Sequence, residues 1–133
     1  MHLLHQIALV GLGSALGGLL RWGVSMSFAR WLGTALPWGT LFINISGSLF
    51  LGWFMTMVTE KLHAAPGSWM KASDLHLMLA VGFTGAYTTF LTFEYENHAL
   101  LTEGRAFAAA AYAAVSLFAG LLAVRWGVHL ARG

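Results

Sequence analysis

Residues 106–124, AFAAAAYAAVSLFAGLLAV, form a run of 19 residues without a charge between Arg105 and Arg125. The apolar residues of this run are continuous and do not alternate with polar ones. A helix that crosses the ~30 Å hydrocarbon core of a bilayer needs about 20 mainly apolar residues. A strand of a membrane β-barrel instead alternates apolar and polar residues over about ten positions. The run therefore predicts a transmembrane α-helix.

The same pattern continues outward through the chain. Residues 31–59 and 75–93 carry no charge, and the first 20 residues carry none apart from two histidines. Charged residues are 9% of the 133 positions, whereas a soluble domain has about 25%. No Lys or Arg precedes the first apolar run, which disfavours a cleaved signal peptide. We predict one all-α membrane domain, residues 1–133, with spans near 4–29, 38–59, 72–101 and 106–129.

The basic residues near the span ends give only a weak orientation signal. With four spans, Lys61, Lys71 and Arg132 lie on one side, and Arg30 and Arg105 lie on the other. Two interpretations stay open: an ordinary protein with a small charge bias, or a chain that inserts in both orientations and pairs head to tail. Because four helices enclose little space, we expect any permeation path to lie between subunits.

Polar side chains inside the spans are candidate functional residues, because they are costly at membrane depth unless they face protein or water. Asn44 lies one helical turn after Thr40, so the two share a helix face. They either bond neighbouring helices or line a pore. Arg21 is the full charge well inside a span, and it either reaches the interface or lines a water-filled vestibule. The first, second and fourth predicted spans contain no Asp or Glu, which argues against a proton-coupled exporter.

The histidines occur near the predicted span ends, and no two have metal-ligand spacing within a span interior. We interpret them as interfacial residues. The absence of cysteine excludes disulfides and thiolate metal sites.

The segment GAYTTFLTF, residues 85–93, brings a glycine and three threonines into an apolar span. Glycine and β-branched residues weaken a helix, and a broken membrane helix is tolerated where its backbone faces protein or water. A continuous helix with a glycine contact face is the alternative. Phe90 and Phe93 share one helix face, and Thr89 and Thr92 share a neighbouring one. Positive ring edges beside hydroxyl donors can hold a small anion without a fixed charge, although packing alone would use the same spacing.

Three segments together resemble the Fluc (CrcB-like) fluoride channels. They are GLGSALGGLLRWGVS at 11–25, WGTLFINISGSLFLGW at 38–53 and VGFTGAYTTFLTF at 81–93. Their order and spacing match across nearly the whole chain. The resemblance implies an antiparallel dual-topology homodimer in the bacterial inner membrane, with the third helix broken near its middle. It also implies two fluoride pores along the subunit interface and passive export of fluoride. No enzymatic chemistry and no nucleic-acid partner are expected.

The resemblance, taken with the hydroxyls of the third span, also implies the site residues. The vestibule arginine corresponds to Arg21. A structural sodium ion at the dimer centre would be bound by the backbone carbonyls of Gly85 and Thr88. The predicted fluoride pore consists of side chains from three spans: Thr40, Asn44, Thr89, Phe90, Thr92, Phe93, Tyr112 and Ser116.

The chain departs from the family pattern at a few positions. Leu91 replaces a serine that many members carry between the two TF pairs, and Ala86 replaces the second glycine of the break. Glu94 and Glu96 follow the phenylalanines, and they would repel anions unless they point elsewhere. Glu96 matches an acidic position in relatives. The alternatives to a channel are a fluoride–proton coupled transporter and a small membrane subunit without transport activity.

Overall fold

The computed structural model describes residues 2–62 and 71–133. Within those residues four helices are long and apolar enough to cross a membrane, and no strand occurs. The prediction of an all-helical chain with four spans is confirmed. The four helical spans are His2–Leu32, Trp38–Lys61, Ala72–Thr102 and Ala106–Arg132.

The first two spans are joined by a short linker. Helix α1, His2–Leu32, ends at Gly33, whose φ of +76° closes the helix with an N–H bond to the Ala29 carbonyl at 3.1 Å. Helix α2, Trp38–Thr56, begins after Pro37 and continues into a π-helical segment, Met57–Leu62. Residues 33–37 therefore form the α1–α2 linker.

The third span consists of several helical pieces. It begins with α3, Ala72–Leu75, and a π-helical segment, His76–Thr84, and continues with the short α4, Gly85–Tyr87. Two residues with extended backbone follow: Thr88 at φ −78°, ψ 156° and Thr89 at φ −148°, ψ 117°. Helix α5 then runs over Phe90–Thr102.

The fourth span is the most regular after α1. A turn at Gly104, with φ +74°, leads into α6, Ala106–Arg132. Together with α5, helix α6 packs beside α2, and these three helices contribute the polar side chains described below.

Glycines allow the helices to approach closely. A Cβ built on Gly52 of α2 would overlap the Val124 carbonyl of α6, and one on Gly127 would overlap the Leu49 carbonyl. On the opposite side of the bundle, a Cβ on Gly17 of α1 would overlap the backbone of Phe83. Small residues at such crossings let backbones come into van der Waals contact, as in other membrane bundles. The outer faces of the helices carry exposed Leu, Phe and Trp side chains that suit contact with lipid.

Candidate functional site

Asn44 bonds to the extended backbone between α4 and α5. Its Nδ2 donates to the Thr89 carbonyl at 3.0 Å, and the Thr89 N–H donates to its Oδ1 at 2.9 Å. A side-chain amide has both a donor and an acceptor, so Asn44 satisfies both the backbone N–H and the backbone carbonyl of Thr89. This pairing binds α2 to the extended segment.

The extended segment also depends on the small residue Gly47. A Cβ on Gly47 would overlap Cγ2 of Thr88 and touch the ring of Tyr87. Tyr87 is buried, and its hydroxyl lies 2.9 Å from the Ser46 hydroxyl. Residues 44–47 of α2 therefore form the surface against which the segment packs.

The carbonyls of Gly85 and Thr88 lose their helical donors at this point. In a continuous helix they would accept the N–H groups of Thr89 and Thr92. Here the Thr89 N–H donates to Asn44 and the Thr92 N–H donates to Oγ1 of Thr89 at 3.3 Å. Neither carbonyl accepts another hydrogen bond from residues 2–62 or 71–133. Gly85 is exposed, with open space where a Cβ would lie, and the two carbonyls are candidate ligands for a cation.

A second polar cluster joins three helices near the start of α2. Oγ1 of Thr40 donates to Oε1 of Glu96 at 2.7 Å, and the Tyr112 hydroxyl donates to Oε2 at 2.8 Å. Thr40 and Tyr112 are buried, and Glu96 is half-buried. The Glu96 carboxylate therefore points into the bundle and accepts a hydroxyl at each oxygen.

The two phenylalanines lie at the start of α5 with different surroundings. Their ring centroids are 6.0 Å apart, and the Phe93 ring lies 5.1 Å from that of Tyr112. Phe93 is half-buried, whereas Phe90 is 70% exposed in the single chain. Beside them, the Thr89 hydroxyl donates to Oγ1 of Thr92 at 2.9 Å, which leaves the Thr92 proton for another acceptor.

Two cavities lie beside these polar and aromatic residues. The larger, about 610 Å³, lies below the α1–α2 linker and reaches Thr40, Thr92 and Glu96. The smaller, about 290 Å³, opens between α2, the extended segment and α6. The predicted pore residues that line the smaller cavity are Asn44, Thr89, Phe90, Phe93 and Ser116.

Ser116 has an unusual environment. Its Oγ is buried and has no hydrogen-bond partner among the described residues. Buried hydroxyls in proteins are nearly always paired, so this one is available to a bound molecule or ion. Tyr112 lies one turn earlier on α6, so α6 presents hydroxyls to both polar regions.

Arg21 and Glu94 do not join this group. Arg21 lies in α1, half-buried, and it lines neither of the two cavities. Glu94 is exposed on α5, on a different side from Glu96. The contacts of Thr40 and Tyr112 with Glu96 were not predicted from the sequence. The acidic residue in an apolar span was the available signal, but nothing in the sequence indicated its partners.

Among the described residues, no three His, Asp or Glu side chains converge on a point where they could bind a metal. His5 lies 3.3 Å from the Asp74 carboxylate, at the end of the bundle where α1 begins.

Comparison with known proteins identifies relatives along nearly the whole chain. The family model described as "CrcB-like protein, Camphor Resistance (CrcB)" matches residues 8–128. A "Fluoride-specific ion channel FluC" of Rhizobium meliloti is 36% identical, over 97% of this chain and 98% of the relative. Proteins with the same name from Chloroflexus aurantiacus and Hydrogenovibrio crunogenus are 37% and 39% identical, over 97% and 90% of their lengths.

The resemblance to the Fluc (CrcB-like) family, which three sequence motifs indicated, is confirmed by these matches. The four spans and the relatives together identify a multi-pass protein of the bacterial inner membrane. Because the family model covers residues 8–128 and the relatives align from end to end, the chain belongs to the CrcB-like family.

Proposed function

We propose that this chain is a passive fluoride-selective channel that exports fluoride from the cytoplasm and so reduces its toxicity. The observation that carries the proposal is the series of hydroxyl and aromatic groups along α2, α5 and α6, which extends from the larger cavity to the unpaired Ser116 hydroxyl. Relatives named fluoride-specific ion channels, 36–39% identical over nearly the full length, support the choice of ion.

The proposed pore replaces water around fluoride by weak, distributed donors. The hydroxyls of Thr92 and Ser116 and the ring edges of Phe90 and Phe93 supply partial positive charge without a fixed cation. Such groups bind an anion strongly enough to admit it and weakly enough to release it. Thr40 and Tyr112 belong to the same path, since their hydroxyls donate to Glu96 beside it.

Asn44 has a more specific role in this proposal. Both ends of its amide bond the Thr89 backbone, so it orients the segment that carries Thr89 and Phe90. We infer that Asn44 lines the pore and acts mainly by holding this segment in its extended conformation.

We further propose that two chains form an antiparallel homodimer with a pore at each side of the interface. In the single chain Phe90 is 70% exposed and Leu91 is 82% exposed, next to backbone carbonyls without donors. Lipid cannot satisfy exposed backbone polar groups. We therefore expect a second chain to pack against the extended residues of the third span and to shield their backbone from lipid. Arg21 would face an aqueous vestibule in that assembly.

We propose that the carbonyls of Gly85 and Thr88 would hold a sodium ion. Hard cations prefer oxygen ligands, and the equivalent carbonyls of a second chain would complete the set. When bound, the ion supplies a positive charge that holds together carbonyl dipoles from two chains.

Glu96 favours one alternative, a fluoride–proton coupled transporter, because a titratable carboxylate lines the larger cavity. A membrane subunit without transport activity is the other alternative, in which Asn44 and Thr40 only hold helices together. The channel and these two alternatives predict different fluoride efflux from liposomes that contain the purified protein.

The deciding experiment is fluoride efflux from liposomes, with valinomycin carrying potassium and chloride as the paired anion. We expect fast fluoride efflux that requires the ionophore and proceeds without a proton gradient, with little chloride movement. Efflux that needs a proton gradient would favour the coupled transporter. No efflux from correctly assembled dimers would favour the subunit without transport activity.

A further inference from the structure

We propose that Arg105 is the cationic residue at the mouth of the larger cavity, where it positions the α1–α2 linker and offsets the carboxylates that fluoride passes. This inference rests on the proposed function. The sequence indicated Arg105 only as a basic residue near a span end.

The backbone of Arg105 is held in place where α6 begins. Its N–H donates to the Leu100 carbonyl at 2.9 Å, and its carbonyl accepts the Ala109 N–H at 3.1 Å. The preceding residue, Gly104, has a φ of +74°, which favours glycine. The side chain therefore starts from a fixed point at the rim of the cavity.

The Arg105 side chain connects two loops. Its Nη1 donates to the Ala35 carbonyl at 2.6 Å and lies 3.5 Å from Oε2 of Glu103. Ala35 belongs to the linker that precedes α2, and Thr40 lies in the first turn of α2. Because Thr40 donates to Glu96, the bond from Arg105 to Ala35 helps to set the position of a polar group inside the cavity.

Among residues 2–62 and 71–133, three charged side chains line the larger cavity: Glu96, Glu103 and Arg105. Two of them carry carboxyl groups and the third carries a guanidinium group. Replacement of Arg105 by a neutral residue lowers the net charge of the cavity lining by one unit. Replacement of Glu103 by a neutral residue raises that net charge by one unit. These differences do not depend on whether Glu96 carries a proton. Charges at a narrow opening change the local concentration of ions and hence the rate of entry.

Opposite effects of two neighbouring charges provide the test. Fluoride efflux is measured for the wild type, Arg105→Gln, Arg105→Lys and Glu103→Gln, at low and at high concentrations of a salt whose ions do not permeate. At low ionic strength we expect Arg105→Gln to slow efflux about two- to fivefold and Glu103→Gln to accelerate it about twofold. At high ionic strength, where the Debye length falls to ~3 Å, the Glu103→Gln rate should approach the wild-type rate, and Arg105→Gln should lose the part of its deficit that depends on salt.

Arg105→Lys separates charge from loop positioning. Lysine keeps the positive charge but lacks the planar fork of arginine. We expect this variant to keep the wild-type dependence on salt while unfolding at a lower temperature. Arg30→Gln is the matched control, because Arg30 is exposed in the last turn of α1 and does not line the cavity. Its efflux should stay close to that of the wild type.

The outcomes distinguish this inference from the proposed function. No fluoride efflux from the wild type would contradict the proposed function itself. If the wild type conducts and both charge variants match it at low ionic strength, the inference is wrong. A loss in Arg105→Gln that is equal at all salt concentrations and is shared by Arg105→Lys would leave only a structural role and overturn the electrostatic one. If Arg105→Gln fails to fold, Glu103→Gln decides, because acceleration supports the inference and an unchanged rate contradicts it.

Discussion

Asn44 and Thr89 are joined by two hydrogen bonds, of 3.0 and 2.9 Å, that satisfy both the backbone N–H and the backbone carbonyl of Thr89 inside a membrane span. The pairing occupies the Thr89 N–H, which would otherwise donate to the Gly85 carbonyl. One side chain on α2 therefore both maintains the extended segment and leaves the Gly85 carbonyl without its helical donor.

Asn44→Ala should disturb assembly and conduction together. It leaves the Thr89 N–H and carbonyl without partners, at a cost of about 1–3 kcal/mol for each buried group. We expect a lower unfolding temperature of the purified protein and loss of fluoride efflux. Asn97→Ala is a matched control, since Asn97 Nδ2 bonds only the Phe93 carbonyl one turn earlier on the same helix. An Asn44→Ala protein with wild-type stability and efflux would contradict the role assigned to this pair.

Gly47→Ala should destabilise the protein by forcing α2 away from the extended segment. The added methyl overlaps Cγ2 of Thr88, and overpacking of this kind costs about 1–3 kcal/mol. Thr88→Ser removes that methyl group, so the double variant should recover most of the lost stability. Thermal unfolding of the two single variants and the double variant measures the coupling. Additive losses would show that the two groups do not touch.

Thr40→Val should reduce fluoride efflux with little change in shape, because it removes a hydroxyl that donates to Glu96. A hydrogen bond to a charged group contributes about 1.5–3 kcal/mol, so the Glu96 side chain should lose its fixed orientation. Thr56→Val is the control, since the Thr56 hydroxyl is equally buried on α2 but bonds only the Gly52 carbonyl. Equal efflux from both variants would separate the Thr40–Glu96 contact from conduction.

Phe90→Ile should preserve the dimer and lower fluoride efflux by more than about tenfold, since isoleucine fills space but has no positive ring edge. The side chain is 70% exposed in the single chain, so its loss should not disturb the fold. Phe118→Ile, at a residue that is 69% exposed on α6 and lines neither polar cavity, is the control. Unchanged efflux in Phe90→Ile would remove this ring from the pore.

Gly85→Val tests the dimer and the cation together. Within one chain nothing lies within 4 Å of a Cβ at this position, so the monomer should fold normally. We expect weaker dimers by size-exclusion chromatography and no increase in unfolding temperature when sodium replaces a large organic cation. A stable dimer of Gly85→Val that still responds to sodium would contradict a sodium site at these carbonyls.

Several features were predictable because they depend on local composition. The four spans follow from uncharged runs that match the thickness of a bilayer, and the family follows from three motifs in order. The extended residues coincide with a segment that is rich in glycine and β-branched threonine. Two contacts that were not predicted, Thr40 with Glu96 and Arg105 with Ala35, join residues that are 56 and 70 positions apart.

The sequence alone therefore determined an all-helical membrane protein, its family and the region of the third span where regular helix is weakest. Only the tertiary structure decided which side chains complete that region. Asn44 was recognisable as an unusual polar residue in a membrane helix. Its partners are the backbone N–H and carbonyl of Thr89. Because every residue has a backbone carbonyl and nearly every residue has a backbone N–H, the sequence does not indicate which of them a side chain will bind. The direction of Glu96, into the bundle, and of Glu94, outward, likewise depends on how α5 packs against α2 and α6. Hydrogen bonds between helices depend on rotation and crossing of whole helices, which local composition does not specify.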